Sequence, residues 1–242
     1  MPDAAASVTI DPDEVAKFSA IAEQWWDPAG KFAPLHAINP LRIAFIREQL
    51  ACDASPPLTG LSLLDIGCGG GLLCEPMRRL GAEVTGIDAS EKNIRTAAAH
   101  AAAQELAITY RHSSAEALAA EGRSYDIVLN MEVVEHVADL EAFIAASCAL
   151  VKPGGLMFCS TLNRTAKAYA LAIIGAEYLL RWLPKGTHDW SKFVRPSEME
   201  ALLRRHGMRI TALTGMTYRP LSGEWRLAPH DLSVNYLLCA GK

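Results

Sequence analysis

The chain has 242 residues, 50% of them hydrophobic and 21% charged, which is enough for one sizeable α/β domain and short of two. With 23 Lys and Arg against 27 Asp and Glu the net charge is -4, so no basic field exists to hold a polyphosphate backbone and nucleic acid is excluded as the main partner. The six cysteines (Cys52, Cys68, Cys74, Cys148, Cys159, Cys239) contain no C-x-x-C pair, so they read as reduced core residues rather than a zinc cluster or disulfide framework. The opening MPDAAASVTIDPDE carries acids where a signal peptide needs basic and apolar regions, and no run approaches the ~18 apolar residues of a membrane span, so the expected location is cytoplasmic.

In chain order, Val15, Phe18, Ala22 and Trp25 fall at helical spacing and predict a helix over Asp11 to Trp26, broken by Pro28 and Gly30. A loop is expected up to Pro40, then a second helix over Leu41 to Leu50. From residue 61 short apolar runs alternate with helical ones. The strands are expected at Leu61–Ile66, Val84–Ile87, Ile108–Arg111 and Tyr125–Leu129, with helices over 72–80, 91–104, 115–120 and 139–150. Repeated βα alternation implies a parallel sheet covered on both faces. Pro153-Gly154-Gly155 turns the chain into a strand at Leu156–Ser160, and Ser197-x-x-Glu200 is a capping-box pattern for a helix ending at Gly207. Met208–Leu213 and Ser233–Cys239 have no helix between them, which predicts one strand reversed beside the parallel set.

The strongest local signal is LLDIGCGGG at 63–71, a buried strand ending in a glycine turn that opens a helix. Asp88 ends the second strand 21 residues after Gly67, near the ~20-residue offset at which a carboxylate meets ribose hydroxyls. A dinucleotide is disfavoured, because Leu72 stands where G-x-G-x-x-G requires the third glycine. The D-x-G-x-G turn with Asp88 instead resembles the cofactor site of class I S-adenosylmethionine-dependent methyltransferases. That resemblance implies a Rossmann-like α/β fold with a mostly parallel seven-stranded sheet and a reversed last strand. It also implies that Gly67 and Gly69 lie along the methionine moiety while Asp88 holds the ribose.

Four further blocks narrow it: FSAIAEQWWDPAGKFAPLHAINPLR at 18–42, EVVEHV at 132–137, STLNR at 160–164 and GAEYLLRWLPKGTHDW at 175–190. Together they resemble the ubiquinone-biosynthesis O-methyltransferase family over nearly the whole chain. The family implies cofactor contacts from Arg42, Gly67, Asp88 and Met131, and polyprenylated phenol or quinol acceptors. Other ubiquinone-biosynthesis enzymes are the partners it suggests. The alternatives are a methyltransferase of another small acceptor and a non-catalytic membrane adaptor retaining the fold. The organisation expected is a helical cap over 1–52 and a methyltransferase domain over 53–242, with a substrate-side or membrane-side insertion near 164–190.

Glu132, Glu135 and His136 stand at i, i+3 and i+4, so on a helix they would share a face. Such a set can hold one cation: the carboxylates favour Mg²⁺, the imidazole leaves Zn²⁺ or Mn²⁺ open, and the resemblance implies a divalent metal. Without metal, His136, beside Glu135, is the general-base candidate. Residues 164–185 are apolar with Tyr178, Trp182 and a local net charge of +3, a composition that suits an interfacial helix and equally a core or lid helix. The greasy acceptor that the resemblance implies favours the first, and with it peripheral attachment to an anionic inner-membrane surface. The following Pro184–Trp190 loop, with His188, is expected to border the acceptor pocket.

Overall fold

In the computed structural model, residues 8–50, 55–171, 173–174, 189–219 and 222–242 are described. Asp11 caps helix α1 (Pro12–Ala20) by accepting from the Asp13 and Glu14 amides. Helix α2 (Ala33–Leu50) begins eight residues before the expected position and carries Pro40 inside it. Proline removes one helical hydrogen bond, but the flanking turn is fixed from outside: Ile38 is buried, and the Asn39 amide donates to the Leu72 carbonyl at 2.9 Å.

The alternating segment follows as β1 (Ser62–Ile66), α3 (Cys74–Arg79), β2 (Glu83–Asp88), α4 (Glu91–Ala103), β3 (Thr109–His112), α5 (Ala115–Ala120), β4 (Tyr125–Met131), α6 (Leu140–Ala149) and β5 (Val151–Leu162). Helix α7 (Ala166–Ala168), α8 (Pro196–Arg205), β6 (Arg209–Arg219), β7 (Glu224–Ala228) and β8 (Asn235–Gly241) follow, with short 3-10 turns at Ala22–Gln24 and Trp190–Lys192. The capping box of α8 sits two residues earlier than expected: Pro196 occupies the first turn and the Glu198 carboxylate accepts the Arg195 amide at 3.1 Å.

The sheet order is β3-β2-β1-β4-β5-β8-β6-β7. The first five strands run parallel, and β8 is antiparallel to both β5 and β6, so the reversed strand lies where expected. The sheet has eight strands rather than seven. Strand β6 continues past Leu213 to Arg219, and Gly223, at φ 71°, lets the chain fold back as β7. Two buried clusters cover the sheet faces; α2 contributes Phe45 and Ile46 to one, and α6 contributes Phe143 and Ile144 to the other. The five cysteines among the described residues are free and buried.

A third cluster ties the N-terminal segment to the glycine turn. Trp25 stacks on Phe32 at 3.6 Å and donates from Nε1 to Asn93, while Trp26 stacks on His100 and donates to the Gly70 carbonyl at 2.9 Å. A Cβ at Gly70 would lie 2.3 Å from the Trp25 Cβ. Gly70→Ala is therefore expected to cost about 1–3 kcal/mol of stability by overpacking. In a Trp25→Gly background, which removes the Cβ that the new methyl would meet, the same substitution should cost much less, a non-additivity that urea melts of the four proteins will measure.

The expected interfacial stretch over 164–185 lies largely outside the described residues, as do Tyr178, Trp182 and His188. At its start, Arg164 pairs with Glu198, and Lys167 pairs with Asp231 at 3.2 Å. No described helix is long and apolar enough to cross a membrane.

Candidate active site

The carboxyl ends of β1, β2 and β4 converge, as parallel strands in one sheet must, and above them opens a cavity of about 1130 Å³. Gly67, Asp88, Met131, Glu132 and His136 all line it. Gly67 has φ 68°, and a Cβ there would meet Val133 at 2.7 Å, so glycine is required both for the turn and for the close approach of the following loop.

Asp88 is the hub of hydrogen bonds at this end of the cavity. One carboxylate oxygen accepts the Gly69 amide at 2.9 Å; the other accepts the Ser90 amide at 2.7 Å and the Asn93 side chain at 3.1 Å. Burial raises its pKa, and these bonds from Ser90, Gly69 and Asn93 partly offset that rise. A carboxylate offers about four acceptor sites, so one remains for a ligand hydroxyl on the cavity side. Gly69 is not among the residues lining the cavity: Trp25 packs over it, and its amide donates to Asp88. Asp88→Asn, which keeps the shape and loses the charge, is expected to weaken binding of S-adenosylhomocysteine about tenfold by calorimetry.

Ser113, Ser114 and Ala115, directly after β3, also line the cavity and were not singled out from sequence. Their position after the third strand, with Ser114 capping α5, was the available signal. The cavity wall contributed by α1, namely Glu14, Val15 and Phe18, was not anticipated either.

After β4 the chain makes a turn, not a helix, so the expected face shared by Glu132, Glu135 and His136 does not form. Glu132 has φ 58°, a strained conformation for a side-chain-bearing residue, and its backbone amide donates to the Ser160 carbonyl. Its carboxylate accepts from Ser160 Oγ at 2.6 Å and pairs with Arg42 at 2.8 Å. Glu135 is buried, accepts from Thr161 at 2.9 Å and does not line the cavity. His136 turns the other way, its Nδ1 2.8 Å from Glu14 and its ring edge-on to Phe18 at 5.1 Å. Among the described residues no group of three or more His, Cys, Asp or Glu side chains is placed to hold a metal ion. The donor set as arranged does not fit one divalent cation, because its members are drawn toward three different partners. Arg42 is buried against Glu132 and Asn39 and is not among the residues lining the cavity.

A methyltransferase-domain family profile matches residues 40–213. Solved structures share the fold: magnesium protoporphyrin IX methyltransferase from Synechocystis PCC 6803 with bound SAH superposes with a TM-score of 0.65 at 22% identity, covering 95% of this chain and 93% of that one. The ubiquinone biosynthesis O-methyltransferase of Cereibacter sphaeroides (strain KD131 / KCTC 12085) is 57% identical over 238 residues, 96% of each chain. That of Brucella ovis is 56% identical over 241 residues, 97% of each, and that of Parvibaculum lavamentivorans is 55% identical over 244 residues, 98% of this chain and 96% of that one. Sequence, fold and cavity therefore agree, and the chain belongs to the ubiquinone biosynthesis O-methyltransferase family of class I methyltransferases.

Proposed function

We propose that this methyltransferase moves the methyl group of S-adenosylmethionine to a hydroxyl of a polyprenylated catechol or demethylubiquinol. The observation that carries the reading is one cavity holding the nucleoside-type site of Gly67 and Asp88, the side chain of Met131 and the imidazole of His136. When bound, S-adenosylmethionine supplies a methyl on a positively charged sulfur. Asp88 binds the ribose, Gly67 admits the chain beside it, and buried Met131 packs along the transfer path. Arg42 and Glu135 act from behind the wall, by fixing Glu132 and the turn that carries His136.

Methyl transfer to oxygen needs alignment and an acceptor that has lost its proton. Burial acts to raise the Glu14 carboxyl, but hydrogen bonds from His136 and Lys17 outweigh it and hold the pKa at about 2. An ionised carboxylate can only accept, so His136 donates to it from Nδ1, and we assign Nε2 as the ring nitrogen that takes the acceptor proton.

Label from methyl-labelled donor should appear in synthetic demethylubiquinol with a short tail. Label in some other acceptor and none in the quinol would overturn the reading. Peripheral attachment of a cytoplasmic enzyme to an anionic membrane belongs to the same proposal, supported by exposed Tyr169, Leu171 and Ile174 in the first half of the expected interfacial stretch and by exposed Trp190 beyond its end. Flotation with vesicles containing anionic lipid should carry the protein upward; protein left at the bottom with every composition removes this part.

A further inference from the structure

We infer that the β6–β7 hairpin and the first turns of α2 form a binding arm for the isoprenoid tail of the acceptor, with Trp225 and Tyr218 as its specificity-determining residues. This deepens the proposed function and rests on its acceptor class.

The cavity does not end at the reacting groups. From Glu132 and His136 it continues to Pro34, Leu35 and Ile38 of α2 and to Met216, Tyr218 and Trp225 of the hairpin. Its volume of about 1130 Å³ exceeds the roughly 300–1,000 Å³ of a site that encloses one drug-sized ligand, so it has room for more than the donor alone. Strand β6 is three places from β4 in the sheet, roughly 14 Å at ~4.8 Å per strand. An aromatic ring placed at His136 cannot reach the hairpin; a chain attached to it can.

The chemistry of the arm suits an apolar, branched, unsaturated chain. Ile38 and Met216 are buried at its base, and Leu35 and Trp225 are half-buried against the same core cluster. The Tyr218 and Trp225 rings lie 5.4 Å apart with their planes inclined by 47°, giving two aromatic faces to allylic methyl groups. Strand β7 pairs with β6 alone and is the last strand of the sheet, so no further strand claims this edge among the described residues. Arg219 and Arg226, on the exposed part of the hairpin, also line the opening and set a charged rim beyond the apolar walls. A small hydrophilic acceptor has no use for such an extension.

The test compares catechol with geranyl catechol in the protein loaded with S-adenosylhomocysteine. Calorimetry should show the prenylated compound binding at least about tenfold tighter, and Trp225→Ala should remove most of that preference. The ratio of kcat/KM values for the two acceptors should fall in parallel. Tyr218→Ala, at a 36% exposed position that tolerates truncation, repeats the test should Trp225→Ala fail to fold. Equal binding of the two compounds by the unaltered protein, or an undiminished preference in both variants, overturns the tail arm. Preferential binding of the prenylated compound without label transfer to any quinol would instead overturn the proposed reaction and leave the arm standing.

Discussion

His136→Ala is expected to lower kcat by about 10²–10⁴-fold at neutral pH, with the affinity for S-adenosylhomocysteine little changed. The proposed function puts the acceptor at the imidazole and the donor's ribose at Asp88, both of which line the cavity, so on that reading the loss falls on chemistry rather than on donor binding. A phenol with a pKa near ~10 is almost wholly protonated at neutral pH, which is why a base matters there. As the pH rises toward that value the acceptor ionises in bulk water, and the deficit of His136→Ala should shrink. Glu14→Gln is expected to lose less, about tenfold, because it weakens orientation and keeps the base. Since the Glu14 carboxyl sits at about 2, its contribution is constant through the neutral range. Rate profiles of the three proteins from pH 6 to 10 check the assignment, and a deficit independent of pH would show that His136 shapes the pocket without moving a proton.

The placing of Gly67 and Asp88 at one edge of the sheet was legible because it is local. Gly67 and Asp88 belong to two consecutive βα turns, and the strand-end positions of both follow from periodicity alone. The reversed strand β8 was legible for the same reason, since two strands without a crossover helix leave few alternatives. The acceptor half is built from distant segments. Glu14 meets His136 across 122 residues, and Trp25 seals Gly69 and Gly70, contacts no spacing rule encodes. The face expected from Glu132, Glu135 and His136 required a helix; the chain leaves β4 through a positive φ at Glu132 instead, because Arg42 and Ser160 hold that carboxylate. Strand β7 escaped notice because Trp225 and Leu227 alternate with charged residues at an edge, a pattern that a polar loop also shows.

Arg42→Met is expected to be among the most destabilising single changes in the protein. Arg42 is 3% exposed and is the cation within a group of acids at the carboxyl edge of the sheet: it pairs with Glu132 and lowers the pKa values of Asp65 and Glu135. Methionine preserves the apolar stem and removes only the charge. Breaking a buried pair by deleting one partner costs about 3–5 kcal/mol, and Glu132 is 21% exposed, so about 3 kcal/mol is the expected loss near pH 8. The pH dependence has a definite sign. Burial pushes Asp65 up to about 7, and burial with the Glu132 charge beside it pushes Glu135 up to about 8, both above their ordinary values of 3.8 and 4.5. Between those limits the folded chain holds more protons than the unfolded one, so stability falls as the pH rises toward 8. Without Arg42 both acids would hold their protons to still higher pH, which steepens that fall. The Arg42→Met deficit should therefore be largest at pH 8 and shrink toward pH 5, and adding Asp65→Asn should recover part of it at pH 8 while doing little at pH 5. Urea melts at the two pH values decide the matter: equal deficits at both would mean that Arg42 stabilises the edge by packing and not by holding the acids' charge.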